Sequence, residues 1–385
     1  MSLFDEGTVI IVGAGASVPF GLPTGAELID LIVEDFRKEA ARISNLPAEY
    51  SNYASIPAIA PISYALLCNG DSQVDVNPRL LMRQLNDAAN WLDLQTGDSI
   101  DDIIRHNPSK ALMLKVGICH ALFHKTYELK KQSRTYTLRT FTERHVNILR
   151  GSQEKQYRNW VHHFINLVRS QILIEKAEYS RVRSKVKVIS FNYDGILEHI
   201  LDRKWGGIEN DLGVWSDYIE IVHPHGSLEM PEQVLDDELA AHLLINAKRI
   251  VVVHDDPVDS VAAEITQRAR ARRVCEGAFR VYAIGFAFAR ANVSLIGLDK
   301  GIEVDKEEEE RSYGFDRPKR HYHYINFNDS FGLRARVKEL CGRASGWPPE
   351  DDFYPVFPEE MTAGPGRLLE ISEALIAGFL GEMPS

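Results

Sequence analysis

Three short stretches carry the side chains and backbone that could do chemistry. In "VIIVGAGASVPFGLPTG", residues 9–25, a β-branched run stops at Gly13, and Gly15 follows two positions on. Glycines so placed let the backbone approach a ligand closely, and a strand-to-helix turn offers N–H groups to a phosphate. In "FNYD", residues 191–194, Asn192 supplies an amide and Asp194 a carboxylate two positions later. In "HPHGS", residues 223–227, His225 brings an imidazole, a group that titrates near neutrality and suits proton transfer, followed at once by Gly226. An anion cradle with an amide, a carboxylate and a base is a set suited to nucleotides. Each member also has a plainer explanation: a tight turn at Gly13, a helix cap at Asn192 or Asp194, a turn histidine at His225.

The loop does not fit the dinucleotide fingerprint of a dehydrogenase. That pattern needs a third glycine where Val18 stands, and an acidic residue at the end of a second strand. Glu34 and Asp35 lie at about the right distance but inside a helical pattern, which weighs against hydride transfer. Gly21 and Pro23 instead break the chain a second time, just before Thr24 and Glu27, which have capping-box spacing.

The elements that must position these groups are strands written as unbroken apolar runs. They are expected at 8–13, 186–191, 218–223, 249–254, 280–286 and 321–327, and runs without alternation suit strands covered on both faces. The expected class is α/β, a Rossmann-like doubly wound parallel sheet with the chemistry outside the strand carboxyl ends. Between Phe36 and Lys185 the period is helical, so residues 81–180 form an inserted helical module in a sheet domain of 1–80 and 181–330. Residues 331–385 form a C-terminal helical extension. Leu28, Ile29, Ile32, Val33 and Phe36 make one apolar stripe, and Ser99 with Asp102 resembles a further cap.

Composition narrows the class. The chain has 385 residues, a formal charge of -11 and 44% hydrophobic residues. Such an acidic balance gives no broad basic face, so direct nucleic-acid binding is not expected, and "RARARR" at 268–273 is taken as a solvated helix face. No long apolar run or signal-like N-terminus is evident, so a cytoplasmic protein without membrane attachment is expected. Cys68, Cys119, Cys275 and Cys341 form no CxxC pair, and no metal site is expected. His321 and His323 share a strand face, but with no third ligand they are taken as ordinary side chains; His254, Asp255 and Asp256 have the same status.

Taken together and in this order, the glycine loop, the Asn-x-Asp and the His-Gly resemble the sirtuin superfamily over 8–30 and 186–330. The resemblance implies that Gly13, Ala14, Gly15, Ala16, Ser17, Gly21, Pro23, Thr24, Gly226, Gly285, Phe286 and Asn326 surround NAD+, with Gly285 and Asn326 near the adenosine ribose. The zinc ribbon of sirtuin deacetylases is missing, since no cysteine lies between Ser227 and the strand expected at 249. With its helical insertion, "SIDD", "ISFNYD" and "HGSL", the chain is most similar to zinc-free sirtuin-like proteins of bacterial antiphage defence. That likeness implies NAD+ hydrolysis to nicotinamide and ADP-ribose as an abortive-infection response, homo-oligomerisation, and a HerA-type ATPase as a partner.

In such an enzyme Asp194 would contact the carboxamide end, Asn192 would orient ribose or the attacking water, and His225 would be the base. The scission passes through an oxocarbenium-like state, so positioning and charge stabilisation suffice. The alternatives are an NAD+ or ADP-ribose sensor without turnover, and a sirtuin-type deacylase or ADP-ribosyltransferase. "GFAF" in place of a Gly-Ser or Gly-Thr strand end, and Thr24 in place of an Asp-Phe-Arg continuation, weigh against the deacylase.

Overall fold

A computed structural model describes residues 3–4, 7–45, 61–67, 78–95, 99–131, 160–205, 212–229, 236–252, 262–300, 321–325, 335–337 and 339. Five strands, β1 (Thr8–Val12), β2 (Val186–Ser190), β3 (Ile219–Val222), β4 (Arg280–Ile284) and β5 (His321–Ile325), pair in the order β3-β2-β1-β4-β5. Every pairing is parallel, with Ile10 opposite Val188 on one side and Tyr282 on the other. The protein is therefore α/β with an all-parallel sheet, in an order compatible with a Rossmann-like fold. The chain reverses its direction of winding between β1 and β4, the place where such sheets leave a crevice at their carboxyl ends.

Both sheet faces are covered, which is why the strands lack alternation. Ile10, Val12, Val188 and Ile284 meet α6 (Trp160–Tyr179) and α7 (Ile196–Trp205) on one side. Val9, Ile11, Ile189, Val281 and Ala283 meet α9 (Ala262–Glu276) and the short α10 (Arg290–Leu295) on the other.

A third core is helical. The capping box opens α1 (Gly25–Ser44): Glu27 N–H donates to Thr24 Oγ1 at 3.3 Å and Thr24 N–H to Glu27 Oε2 at 2.7 Å. The stripe of Leu28, Ile32, Val33 and Phe36 is buried, not on the sheet but against α2 (Pro61–Leu67), α3 (Pro78–Asp93), α4 (Ile100–His106) and α5 (Ala111–Lys131), in a core that α8 (Asp236–Arg249) joins. Asp35 is tied to His120 of α5 at 2.7 Å, so it faces the helices and cannot serve the ribose of a dehydrogenase-type site. Ser99 caps α4, with Asp102 N–H donating to its Oγ at 3.2 Å.

One expected strand is absent. Over 249–254, α8 runs through Arg249, and Ile250, Val251 and Val252 are buried without joining the sheet. Val251 N–H donates instead to the His225 carbonyl at 3.0 Å, so this apolar run packs on the His-Gly turn. Residues 253–254 lie outside the described residues, as do Asn326 and nearly all of the C-terminal extension. Among the described residues, no helix is long and apolar enough to cross a membrane.

Candidate functional site

The carboxyl ends of β1, β2, β3 and β4 converge, and their close approach explains the glycines. Gly13 N–H donates to Ile284 O at 2.9 Å and Gly15 N–H to Gly285 O at 3.1 Å, which locks the first loop to the end of β4. A Cβ on Gly285, where φ is +62°, would lie 2.1 Å from Ala16 N. Ala16 and Ser17 N–H close short turns onto Gly13 O and Ala14 O at 2.9 and 3.0 Å. The amides of Gly15, Ala16 and Ser17 are thus engaged within the protein, because the turn winds tightly enough to satisfy itself. This narrows the expectation that the turn offers its N–H groups to a phosphate; Ala14 is the exposed residue of the turn. Gly21, with φ of 81°, makes the second break, and Pro23 and Thr24 follow it partly exposed.

The side chain of Ser17 has a role that the motif does not reveal. Asn192 Nδ2 donates to Ser17 Oγ at 2.8 Å, and Ser17 Oγ donates to Asp194 Oδ1 at 3.2 Å. Asp194 Oδ1 also accepts from Ile196 N–H at 3.3 Å, so the capping explanation and the site explanation both hold for this residue. The chain Asn192–Ser17–Asp194 joins the end of β2 to the loop after β1. Asn192 Oδ1 is buried with no protein partner. Leaving a buried acceptor unpaired costs about 1–3 kcal/mol, which marks it as an acceptor for something else.

His225 lies beside this chain but is not hydrogen-bonded to it. Its ring sits between Phe191 and Tyr193, at centroid distances of 5.3 and 6.2 Å, and Phe191 stacks at 4.9 Å on Phe286. Nδ1 meets Val251 O at 3.0 Å and Nε2 meets Asn292 Oδ1 at 3.0 Å. Both neighbours are oxygen acceptors, so with Nδ1 donating to the Val251 carbonyl, Nε2 is a free base only when the Asn292 amide turns its Nδ2 toward it or moves away. Asn292 was not evident in the sequence, where no motif surrounds it. Gly226 has φ of +75°, and a Cβ there would meet Arg249 O at 2.1 Å, so the turn needs glycine.

The turn is held from α9. Arg268 Nε donates to Pro224 O at 3.1 Å and its Nη2 to Val252 O at 2.6 Å, while Arg270 pairs with Glu220 at 2.6 Å. The basic run is therefore not simply a solvated face: two of its arginines reach inward. The helical layer also touches the site, since Tyr193 O–H donates to Asp101 Oδ1 at 2.5 Å, in the first turn of α4. A small, open depression of about 90 Å³ beside α10 is lined by Phe288, Arg290, Val293, Arg336 and Glu339, and Asn292 of the same helix reaches His225. Among the described residues no group of three His, Cys, Asp or Glu is placed to hold a metal ion.

Burial pushes Asp194 up from the usual 3.8 to about 6, partly offset by the Ser17 hydroxyl and the Ile196 amide. The folded protein then holds this proton more tightly than the unfolded chain does. Stability contributed by the protonated group is present below about pH 4 and lost as pH rises through about 6, by about 3 kcal/mol at most. Asp194→Asn is expected to flatten that part of the pH profile and to gain up to about 3 kcal/mol at neutral pH. Urea unfolding of both proteins between about pH 4 and 8 checks it, and parallel profiles would contradict it.

No protein-family model, curated protein or solved structure matches the chain.

Proposed function

We propose that the protein is an NAD+ glycohydrolase built on a sirtuin-like nucleotide-binding sheet without a zinc ribbon. The observation that carries the reading is the unpaired, buried Asn192 Oδ1, linked through Ser17 to Asp194 at the carboxyl end of a parallel sheet. Oδ1 accepts a hydrogen bond from a ribose hydroxyl or from the attacking water, while Asp194 takes the carboxamide end. The bond from C1′ to the pyridinium nitrogen breaks with its electron pair going to nicotinamide. Water oxygen bonds to C1′ and gives up a proton, for which His225 Nε2 is the acceptor once Asn292 yields its place. Phosphates approach Ala14 and the Gly21–Thr24 loop, with the adenosine end toward Gly285 and Phe286 as the resemblance implies. Asn192, Asp194 and His225 are at most 8% exposed, so a covering segment must move to admit the ligand.

The resemblance carries the wider proposal: an antiphage effector that depletes NAD+ in the cytoplasm, working as a homo-oligomer beside a HerA-type ATPase. A second reading, an NAD+ or ADP-ribose sensor without turnover, is favoured by one observation, that both nitrogens of His225 are already occupied. Proton NMR of NAD+ incubated with concentrated protein separates the two. Release of nicotinamide with ADP-ribose supports the hydrolase, and saturable NAD+ binding with no product supports the sensor. Absence of both binding and turnover would overturn the nucleotide assignment.

A further inference from the structure

We propose that Glu198 and His223 form a charge-setting pair for Asp194, deciding whether its carboxyl meets a ligand as an anion that accepts hydrogen bonds or as an acid that donates one. The inference rests on Asp194 being a ligand-binding group, as the hydrolase reading has it. Neither residue belongs to the Asn192–Ser17–Asp194 chain, and both would be positioning residues.

The geometry begins with spacing. Asp194 lies two residues before α7 and accepts from Ile196 N–H at its start, while Glu198 sits in the first turn of that helix. His223 follows the last residue of β3, and its Nε2 is hydrogen-bonded to Glu198 Oε1. The His223 side chain is 11% exposed and that of Glu198 27%. Glu198 Oε2 is buried without a hydrogen-bond partner, and the His223 ring also interacts with the Asn192 backbone. The pair is thus tied to the end of β2 and mostly out of solvent. Both members lie within electrostatic reach of Asp194, whose own burial keeps the local response to charge strong.

The charged groups acting on Asp194 are Glu198, which disfavours its ionisation, and His223, which favours it. Those acting on His223 are Glu198 and Asp194. Burial alone would lower the imidazole, but the Glu198 hydrogen bond and charge outweigh it and hold it above its usual range. Other titratable groups on these elements are His199, Arg203 and Lys204 on α7, Asp202, which accepts from Trp215 at 2.6 Å, and Glu220, which pairs with Arg270. His225 faces Val251 and Asn292. With His223 protonated, the pair is neutral overall and Asp194 can ionise. Without the positive charge of His223, the charge of Glu198 is uncompensated and raises the pH at which Asp194 gives up its proton. An ionised Asp194 suits an amide N–H or a hydroxyl, and a protonated one suits a carbonyl oxygen. The carboxamide of a pyridine nucleotide presents both.

The test is ¹³C NMR of the full chain carrying γ-¹³C aspartate, with the Asp194 signal assigned from its loss in Asp194→Asn. Glu198→Gln should lower the titration midpoint of Asp194 and His223→Gln should raise it, each by on the order of half a pH unit or more. Opposite shifts are the signature, because loosened packing alone would move both variants the same way. Unmoved midpoints, or shifts in one direction, would overturn the proposal. In the unaltered chain, His223 ring ¹⁵N and Asp194 ¹³C signals should each show an inflection at the other's midpoint; independent curves would overturn it even if a variant failed to fold. Affinities for NAD+ and ADP-ribose, compared in the unaltered chain and Asp194→Asn, judge the ligand reading separately. Opposite NMR shifts with an unchanged NAD+ to ADP-ribose ratio would establish the pair and remove Asp194 from carboxamide binding.

Discussion

If the protein hydrolyses NAD+ as proposed, Asn192→Ala is expected to lower nicotinamide release by about 10²- to 10³-fold, the scale on which loss of one preorganised polar group slows a reaction with charge developing in its transition state. The substitution removes the unpaired Oδ1 and also the Nδ2 donor that orients Ser17 against Asp194. Little of the fold depends on it, since the residue donates to a side chain and not to the sheet. The expected pattern is therefore a fall in kcat with ADP-ribose affinity changed by no more than about 10-fold. His225→Ala should fall by about 10²-fold or more through loss of the base. It also opens space between Phe191 and Tyr193, so its thermal stability must be followed alongside. Turnover by Asn192→Ala equal to that of the unaltered chain would remove Asn192 from the mechanism.

The second large effect is structural. In Gly285→Ala the new Cβ meets Ala16 N at 2.1 Å and Gly15 C at 2.4 Å, at a φ of +62° that side chains rarely adopt. Both obstacles are backbone, so no rotamer change relieves them. A loss of about 3 kcal/mol or more is expected, with a Tm lower by about 4 °C or more for a chain of this size. Gly25→Ala is the control. Nothing lies within 4 Å of its added Cβ, and at the first position of α1 the change should gain about 0.5–1 kcal/mol. Differential scanning calorimetry of the two variants checks the contrast, and equal Tm values would refute it.

The central strands β1, β2 and β4 were legible because they are largely buried on both faces and written as short apolar runs rich in Val and Ile. The caps at Thr24 and Ser99 were legible because their chemistry is local. What failed to show has a common cause, a dependence on partners far along the chain. Residues 250–252 have the composition of a strand, yet their backbone partner is the His225 turn. The stripe on α1 says that something covers it, but not that the cover is helical. The glycine loop looks like an anion cradle in sequence, whereas its amides are partly engaged by β4 and by its own turns. Asn192 and Asp194 could be picked out by residue type. The serine that joins them, the pair of Glu198 and His223, and the Asn292 contact could not, because each arises only when distant strand ends are brought side by side.

The central position of β1 has a consequence for how the protein comes into being. Thr8 pairs with Arg280, and Val9 with Lys187, so the first strand to leave the ribosome waits for both of its neighbours. At ordinary rates of synthesis the wait for β4 is on the order of tens of seconds. In that interval α1 can already find α3 and α5, whose contacts are nearer in sequence and faster to form. The helical layer is thus available as a nascent platform before the sheet exists. Ser17 cannot meet Asn192 until β2 has emerged, and Gly15 cannot lock onto Gly285 until after β4. The candidate site is among the last features to be assembled, and a ribosome-bound fragment ending before β4 would carry the motif at 13–17 without the strand end onto which it locks.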